Sequence, residues 1–216
     1  MLASMATDWA TISALATAGG TLVLAVATFS SVRSSNRSAR VAEQALLVNV
    51  RPLLMPSRLE DTAQKINWFD QHWTSLQGAR ASVELENGRV YLAASLRNAG
   101  AGVAIIHGWH AYTTPQLENR ALPEVDEFRP QTRDLYVPSG DVGFWQAAVR
   151  DDSDPQYTEF VEAVEQRRFF VVSLLYSDQE GGQRTISRFL LSPTSDSSEW
   201  LFSVNRHHNL DRPDPR

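Results

Sequence analysis

Five histidines and a few clusters of acids are the side chains of this sequence best suited to chemistry, and their spacing favours structural roles. His107 and His110 stand three apart, which on a strand sends them to opposite faces and away from a shared metal ion. His207 and His208 fall in a polar stretch over 206–216 that carries two prolines and is expected to be a loose tail. A zinc site joining His110 to that pair would need the tail to fold back. Packed or solvated histidines, His72 among them, are the expectation. Asp151, Asp152 and Asp154 precede an expected helix, where acids complement the helix dipole, and no glycine-rich loop accompanies them as a calcium site requires. Glu124, Asp126, Glu127 and Asp134 lie in a long connection over 113–135, read as a solvated loop. The enzymatic alternative is a hydrolase using a carboxylate or a metal around Asp141, His110 and that acidic loop.

The motifs that would sharpen such a reading are missing. The sequence has no Gly-rich phosphate loop ending in Lys-Ser/Thr, no Gly-x-Ser-x-Gly, no His-Glu-x-x-His and no paired-Asp calcium loop. It has no cysteine, which removes disulfides, thiolate metal sites, iron–sulfur clusters and a cysteine nucleophile. No catalytic residue, metal ligand or cofactor is assigned. The 216 residues are 43% hydrophobic and carry a net charge of −5, which supports a packed core and argues against nucleic acid as a partner. Six tryptophans are generous for this length. Core filling is the default for them, but Trp68, Phe69 and Trp73 share a segment without a clean strand period. They are the candidate contact surface for an unknown protein partner.

The elements that would position these residues begin with a membrane segment. Trp9 to Val32 is a run of 24 residues without a charge, bounded by Asp8 and Arg33 after a short N-tail over 1–8. As a helix it would span roughly 36 Å, enough for a hydrocarbon core of about 30 Å. Its apolar residues thin out among Ala, Thr, Ser and Gly, and Trp9 stands where an interfacial anchor would. Ala25-Val26-Ala27 resembles a signal-peptide cleavage site, but it lies inside the apolar run, and no basic residue precedes the run. A core helix of a soluble protein and an amphipathic surface helix, for which the segment has no charged face, are the other competitors. Arg33, Arg37 and Arg40 follow the span with no acid until Glu43. The positive-inside rule then puts the N-terminus outside and the remainder in the cytosol, at the inner (plasma) membrane. The three arginines are candidate headgroup contacts. Ala10, Ala14 and Ala18, and Ala16 with Gly20, have the small-residue spacing at which membrane helices pack, which allows a homodimer. A juxtamembrane helix over 33–50 continues the span with Val41, Ala45 and Val48 on one stripe, and stops at Arg51-Pro52.

Residues 51–205 read as a mainly β domain. Asn87-Gly88 is the dipeptide of a type I′ hairpin; it sets Glu86 opposite Arg89, Leu85 opposite Val90 and Val83 opposite Leu92. Further strands are expected at 103–112, 142–145, 169–176, 185–191 and 200–204. One helix is expected with Asp154 as N-cap, Pro155 at its first position and a stripe of Tyr157, Phe160, Val161 and Val164. Short strands with turns at this spacing predict an antiparallel Ig-like β-sandwich with one inserted helix.

The order of parts, with Leu96-Arg97-Asn98-Ala99-Gly100-Ala101-Gly102-Val103-Ala104 after an Arg-Pro, resembles a broad group of uncharacterised bacterial single-pass membrane proteins. In that group an Asn-x-Gly-x-Gly-x-Ala turn sits inside an Ig-like sandwich. The resemblance covers the chain to about residue 112 and implies architecture without an activity. The functional expectation is a membrane-anchored interaction module, acting as adaptor, sensor or assembly component with the lipid bilayer and a protein as partners. A tethered hydrolase and a sandwich that binds a small molecule or lipid are the alternatives.

Overall fold

A computed structural model of the chain describes residues 2–116, 120–195 and 198–211, which fall into two units dividing between Val48 and Asn49. The first unit is helix α1, Leu2–Asn49, which joins the expected span and juxtamembrane helix without a break. Its Trp9–Glu43 stretch is long and apolar enough to cross a membrane, a property that a signal sequence shares. Trp9, Leu15, Leu22, Leu24 and Phe29 are all exposed. The hydroxyls that dilute the run turn back onto the helix: Ser13 donates to the Ala10 carbonyl (2.9 Å), Thr17 to Ser13 (2.8 Å), Thr21 to Thr17 (2.8 Å), Thr28 to Leu24 (2.7 Å) and Ser30 to Ala27 (2.9 Å). Such internal bonds remove most of the cost of a hydroxyl in an apolar surrounding.

The second unit is built from strands β1 (Leu54–Pro56), β2 (Gln64–Asn67), β3 (Trp73–Leu76), β4 (Arg80–Glu86), β5 (Arg89–Asn98), β6 (Ala104–Thr114), β7 (Arg129–Val137), β8 (Val142–Val149), β9 (Phe169–Ser177), β10 (Thr185–Pro193) and β11 (Trp200–Asn209), with helix α2 (Tyr157–Glu165) between β8 and β9. Nine strands form one antiparallel sheet in the order β1-β5-β4-β11-β10-β9-β6-β7, with β8 on the other edge of β5. The link from β4 to β11 is only two residue pairs wide, Ala81↔Trp200 and Arg80↔Leu201. Two half-sheets therefore fold over one core as a sandwich does, while remaining one curled sheet. Side-chain bonds between β7 and β8 then bring its ends together. The inside is filled by Trp145, Tyr176, Phe160, Phe170, Phe189 and Leu174, all fully buried. α2 lays Phe160 and Ala163 into it, with Phe160 edge-on to Phe170. The β2–β3 hairpin covers the outer face of β5 with Ile66, Trp68 and Leu76, so that Tyr91 and Ala93 are buried as well as Leu92.

The Asn87-Gly88 hairpin forms with the expected register, Glu86↔Arg89, Leu85↔Val90 and Val83↔Leu92, and both turn residues have positive φ (50° and 70°). Four expectations are corrected. Strand β11 runs through Asn209, so Arg206, His207 and His208 are paired with β10 and are no tail; residues 212–216 lie outside the described residues. Asp134 sits in β7, which occupies the end of the supposed loop. Helix α2 starts two residues after Pro155, yet Asp154 still accepts the Gln156 N–H (3.0 Å). A bulge at His107 breaks the period of β6: Ile106 faces the core before it, and Trp109 and Ala111 after it. The inference that His107 and His110 take opposite faces assumed an unbroken strand.

The Asn-x-Gly-x-Gly-x-Ala segment has a structural explanation. The Asn98 side chain is fully buried; its Oδ1 accepts the N–H groups of Leu53 (3.0 Å) and Gly100 (2.9 Å), and its Nδ2 donates to the carbonyls of Val137 (2.9 Å) and Gly102 (2.5 Å). One amide thus ties the chain just after Pro52 to the turn after β5 and to the end of β7. The glycines are needed because a β-carbon at Gly100 or Gly102 would overlap the carbonyls of Arg51 and Val50.

Candidate functional site

Strands β7 and β8 end the sheet, and among the described residues neither has a ladder partner on its outer edge. They face each other across a seam that side chains bridge: Gln131 Nε2 donates to the Gln146 carbonyl (2.8 Å) and Arg133 to the Gln146 side-chain oxygen (3.2 Å). The seam opens where residues 131–134 of β7 stand against His107 alone on β6, an irregularity in the ladder. Where it opens, Trp68, Phe69, Trp109, Arg129, Gln146 and Arg150 surround a cleft of about 150 Å³.

Each arginine of the cleft is held by an acid. Arg129 grips Asp154 with two bonds (2.6 and 2.7 Å) and lies 5.2 Å over the Trp109 ring. That grip holds the Asp154 carboxyl below the ordinary aspartate range, against the opposing effect of its burial. Arg150 donates to Asp70 (2.9 Å), which also accepts from Arg89 (3.2 Å) and the Tyr91 hydroxyl (2.6 Å). Burial pushes the Asp70 carboxyl up, but the bonds from Arg150 and Tyr91 and the Arg150 charge outweigh it and hold the group well below the usual range. The polar frame of the seam is therefore held by ion pairs, while Gln131 Oε1 and Asp70 Oδ1 are buried without a partner.

The aromatic trio divides around this cleft. Trp68 is 3% exposed, packs against Tyr91 and donates to the Ala147 carbonyl (3.2 Å), so it is core. Phe69 on the rim is 74% exposed and Trp73 on β3 is 59% exposed. His72 between them was expected only as a packed or solvated ring. It stacks on Tyr91, with Nε2 2.8 Å from Glu84 and Nδ1 2.6 Å from Glu86, and pins the β2–β3 loop to β4. The signal for it was present in the sequence as an alternating Glu84-x-Glu86, which puts both acids on one strand face.

The remaining candidates are scattered. His110 is on the outer face of β6 against Phe128, and its ring nitrogen Nδ1 is buried without a partner. Burial, with Arg188 and Arg129 adding to it and Glu127 opposing, keeps its proton affinity below the ordinary histidine value. Asp141 caps the β7–β8 turn through the Val142 N–H (2.8 Å). That turn lies at the Ala104 end of β6, so His110 is about 20 Å away along the strand, and the two do not form one site. Asp151 accepts the Ser153 N–H (2.9 Å), and Asp154 serves Arg129. His207 bonds Ser187 inside the sheet (2.6 Å). Among the described residues no three His, Asp or Glu side chains gather as metal ligands. In α1 the helix continues through Arg33, Arg37 and Arg40, which fall along one stripe, and through Ala10, Ala14, Ala18, Ala16 and Gly20, all exposed. Comparison of this chain with protein-family models, with curated proteins and with solved structures finds no match.

Proposed function

We propose that this chain is a single-pass protein of the inner membrane, anchored by residues 9–32, which presents its β domain to the cytosol as a protein-interaction module. The observation that carries the anchor is an apolar helical surface left exposed from Trp9 to Val32, along which serine and threonine hydroxyls satisfy themselves on the helix. Arg33, Arg37 and Arg40 supply the charge asymmetry for an N-outside orientation and lie at headgroup depth. The likeness in order of parts to bacterial single-pass proteins with an Ig-like domain belongs to the same reading. The contact surface is the exposed pair Phe69 and Trp73 beside the seam, rigidly backed by His72, Tyr91 and Asp70.

The anchor is tested by carbonate washing and protease protection of intact cells and inverted vesicles. Full-length chain is expected to stay in the membrane pellet and to be cleaved only in inverted vesicles. Extraction by carbonate, or an N-terminus beginning after Ala27, overturns the anchor; cleavage from outside overturns the orientation. The contact surface is tested by placing a photo-crosslinking residue at Phe69 in cells. A discrete adduct is expected there and not at exposed Thr132 across the seam, and equal labelling at both sites overturns the contact reading. Because the chain has no native cysteine, Ala14→Cys tests pairing of the helices by oxidative crosslinking.

A further inference from the structure

On the outer face of β10 and β11 the charge runs against that of the domain as a whole, which is a net −6 over residues 51–216 (17 basic against 23 acidic side chains). Arg120, Arg188, Arg206 and His208, with Asn205, Ala121 and Leu122, line a pocket of about 290 Å³. Among the described residues no carboxylate lines it. Arg188 is 5% exposed, beneath the connection that follows β6. Its two terminal nitrogens donate to the carbonyls of Arg120 (2.6 Å) and Ala121 (2.6 Å), while its Nε is buried with no partner. A buried guanidinium whose described partners are only neutral carbonyls is poorly compensated, because ionic groups leave water at a cost that an opposite charge normally offsets.

The strand geometry adds a second guanidinium instead of a counter-charge. Along β11, Phe202 and Val204 point into the core, and unbroken alternation would send Arg206 inward after them. The bulge places Asn205 and Arg206 together against one step of β10, so that Arg206 is turned outward and stands directly across the strands from Arg188. Like charges directly opposite each other on a sheet are destabilising. Arg120 approaches from the covering connection, 4.5 Å over the Tyr112 ring. Glu127, an acid that acts on the neighbouring His110 together with Arg188, uses its carboxylate to accept the Glu124 N–H (2.7 Å).

We infer that this pocket is a binding site for a phosphate-type oxyanion, carried on a soluble phosphate compound or on a lipid headgroup. Guanidinium forks match the tetrahedral oxyanion, and Arg188, with its partnerless Nε, and Arg206 both line the pocket. The bound anion would set a negative charge between Arg188 and Arg206, which face each other across the strands.

The test uses the full chain in uncharged detergent micelles, with inorganic phosphate as probe and sodium chloride added to constant ionic strength. Phosphate is expected to raise Tm saturably. Arg206→Gln is expected to leave Tm without phosphate unchanged or higher, because repulsion across the strands is relieved, while the half-saturating phosphate concentration rises at least about tenfold. Arg188→Lys, which keeps the charge in case Arg188→Gln does not fold, should also weaken the response by losing the fork. Nanodiscs of phosphatidylcholine with and without phosphatidic acid identify the source. A rise in Tm in phosphatidic acid nanodiscs over phosphatidylcholine ones, beyond which added phosphate gives no further rise, assigns a headgroup. A response to phosphate alone assigns a soluble ligand. No saturable effect of phosphate on the native chain, or an unchanged response in Arg206→Gln, overturns the site whether or not the chain proves to be membrane-anchored.

Discussion

Buried polar side chains decide more of this fold than their number suggests. Asn98 has all four of its hydrogen-bonding positions occupied, and removing it strands the Leu53 and Gly100 N–H groups and two carbonyls. Asn98→Ala is expected to cost about 3 kcal/mol or more, read as a loss of Tm or of denaturant midpoint. The Arg129–Asp154 pair makes a pH prediction. With its folded pKa depressed, mainly by Arg129, Asp154 contributes stability that is fully present above its ordinary value of 3.8 and is lost as pH falls through the folded value. Asp154→Asn should therefore lower stability at neutral pH by about 1–3 kcal/mol and flatten its decline in acid. His110 adds a milder slope. Its folded pKa is depressed by burial below 6.5, so stability falls as pH drops through 6.5 towards the folded value, and His110→Gln should remove that slope. The charges that add to that burial, Arg129 and Arg188, are 19 and 78 positions away in sequence, and residue type alone could not name them.

At the scale of elements, local chemistry was legible and strand ends were not. Asn87-Gly88 sets its hairpin because both turn residues must take positive φ, a constraint held within four residues. Arg51-Pro52 ends α1 for an equally local reason. The end of β11 was missed because Arg206 to Asn209 are polar and look like a tail, whereas they pair with Thr185 to Arg188, and Ser187 meets His207. Truncation after Asn205 is expected to destabilise the domain by several kcal/mol, about the loss of one ladder and the unpairing of buried Ser187, which thermal unfolding checks. Gly102→Ala should do comparable damage by driving a β-carbon into the Val50 carbonyl. The bulges at His107 and at Asn205 leave no mark in a hydrophobic pattern, and each reverses which face the following residues take.

For the whole molecule, the proposed anchor predicts that a chain beginning at Asn49 leaves the membrane fraction, and the division near Val48 that it unfolds in one cooperative transition. Loss of cooperativity would mean that the β domain depends on α1. The long uncharged run, the helix stop, the hairpin and the mainly antiparallel character were determined by the sequence itself, because each rests on composition, chain stiffness or spacing over a few residues. Tertiary structure alone decided that nine strands make one curled sheet joined by two residue pairs, that Trp68 is core while Phe69 and Trp73 are surface, and that Arg188 meets Arg206. Those outcomes depend on which distant strands find each other and on where a bulge shifts the register. Both are settled by burying one shared core, a free-energy balance that no short window of residues contains.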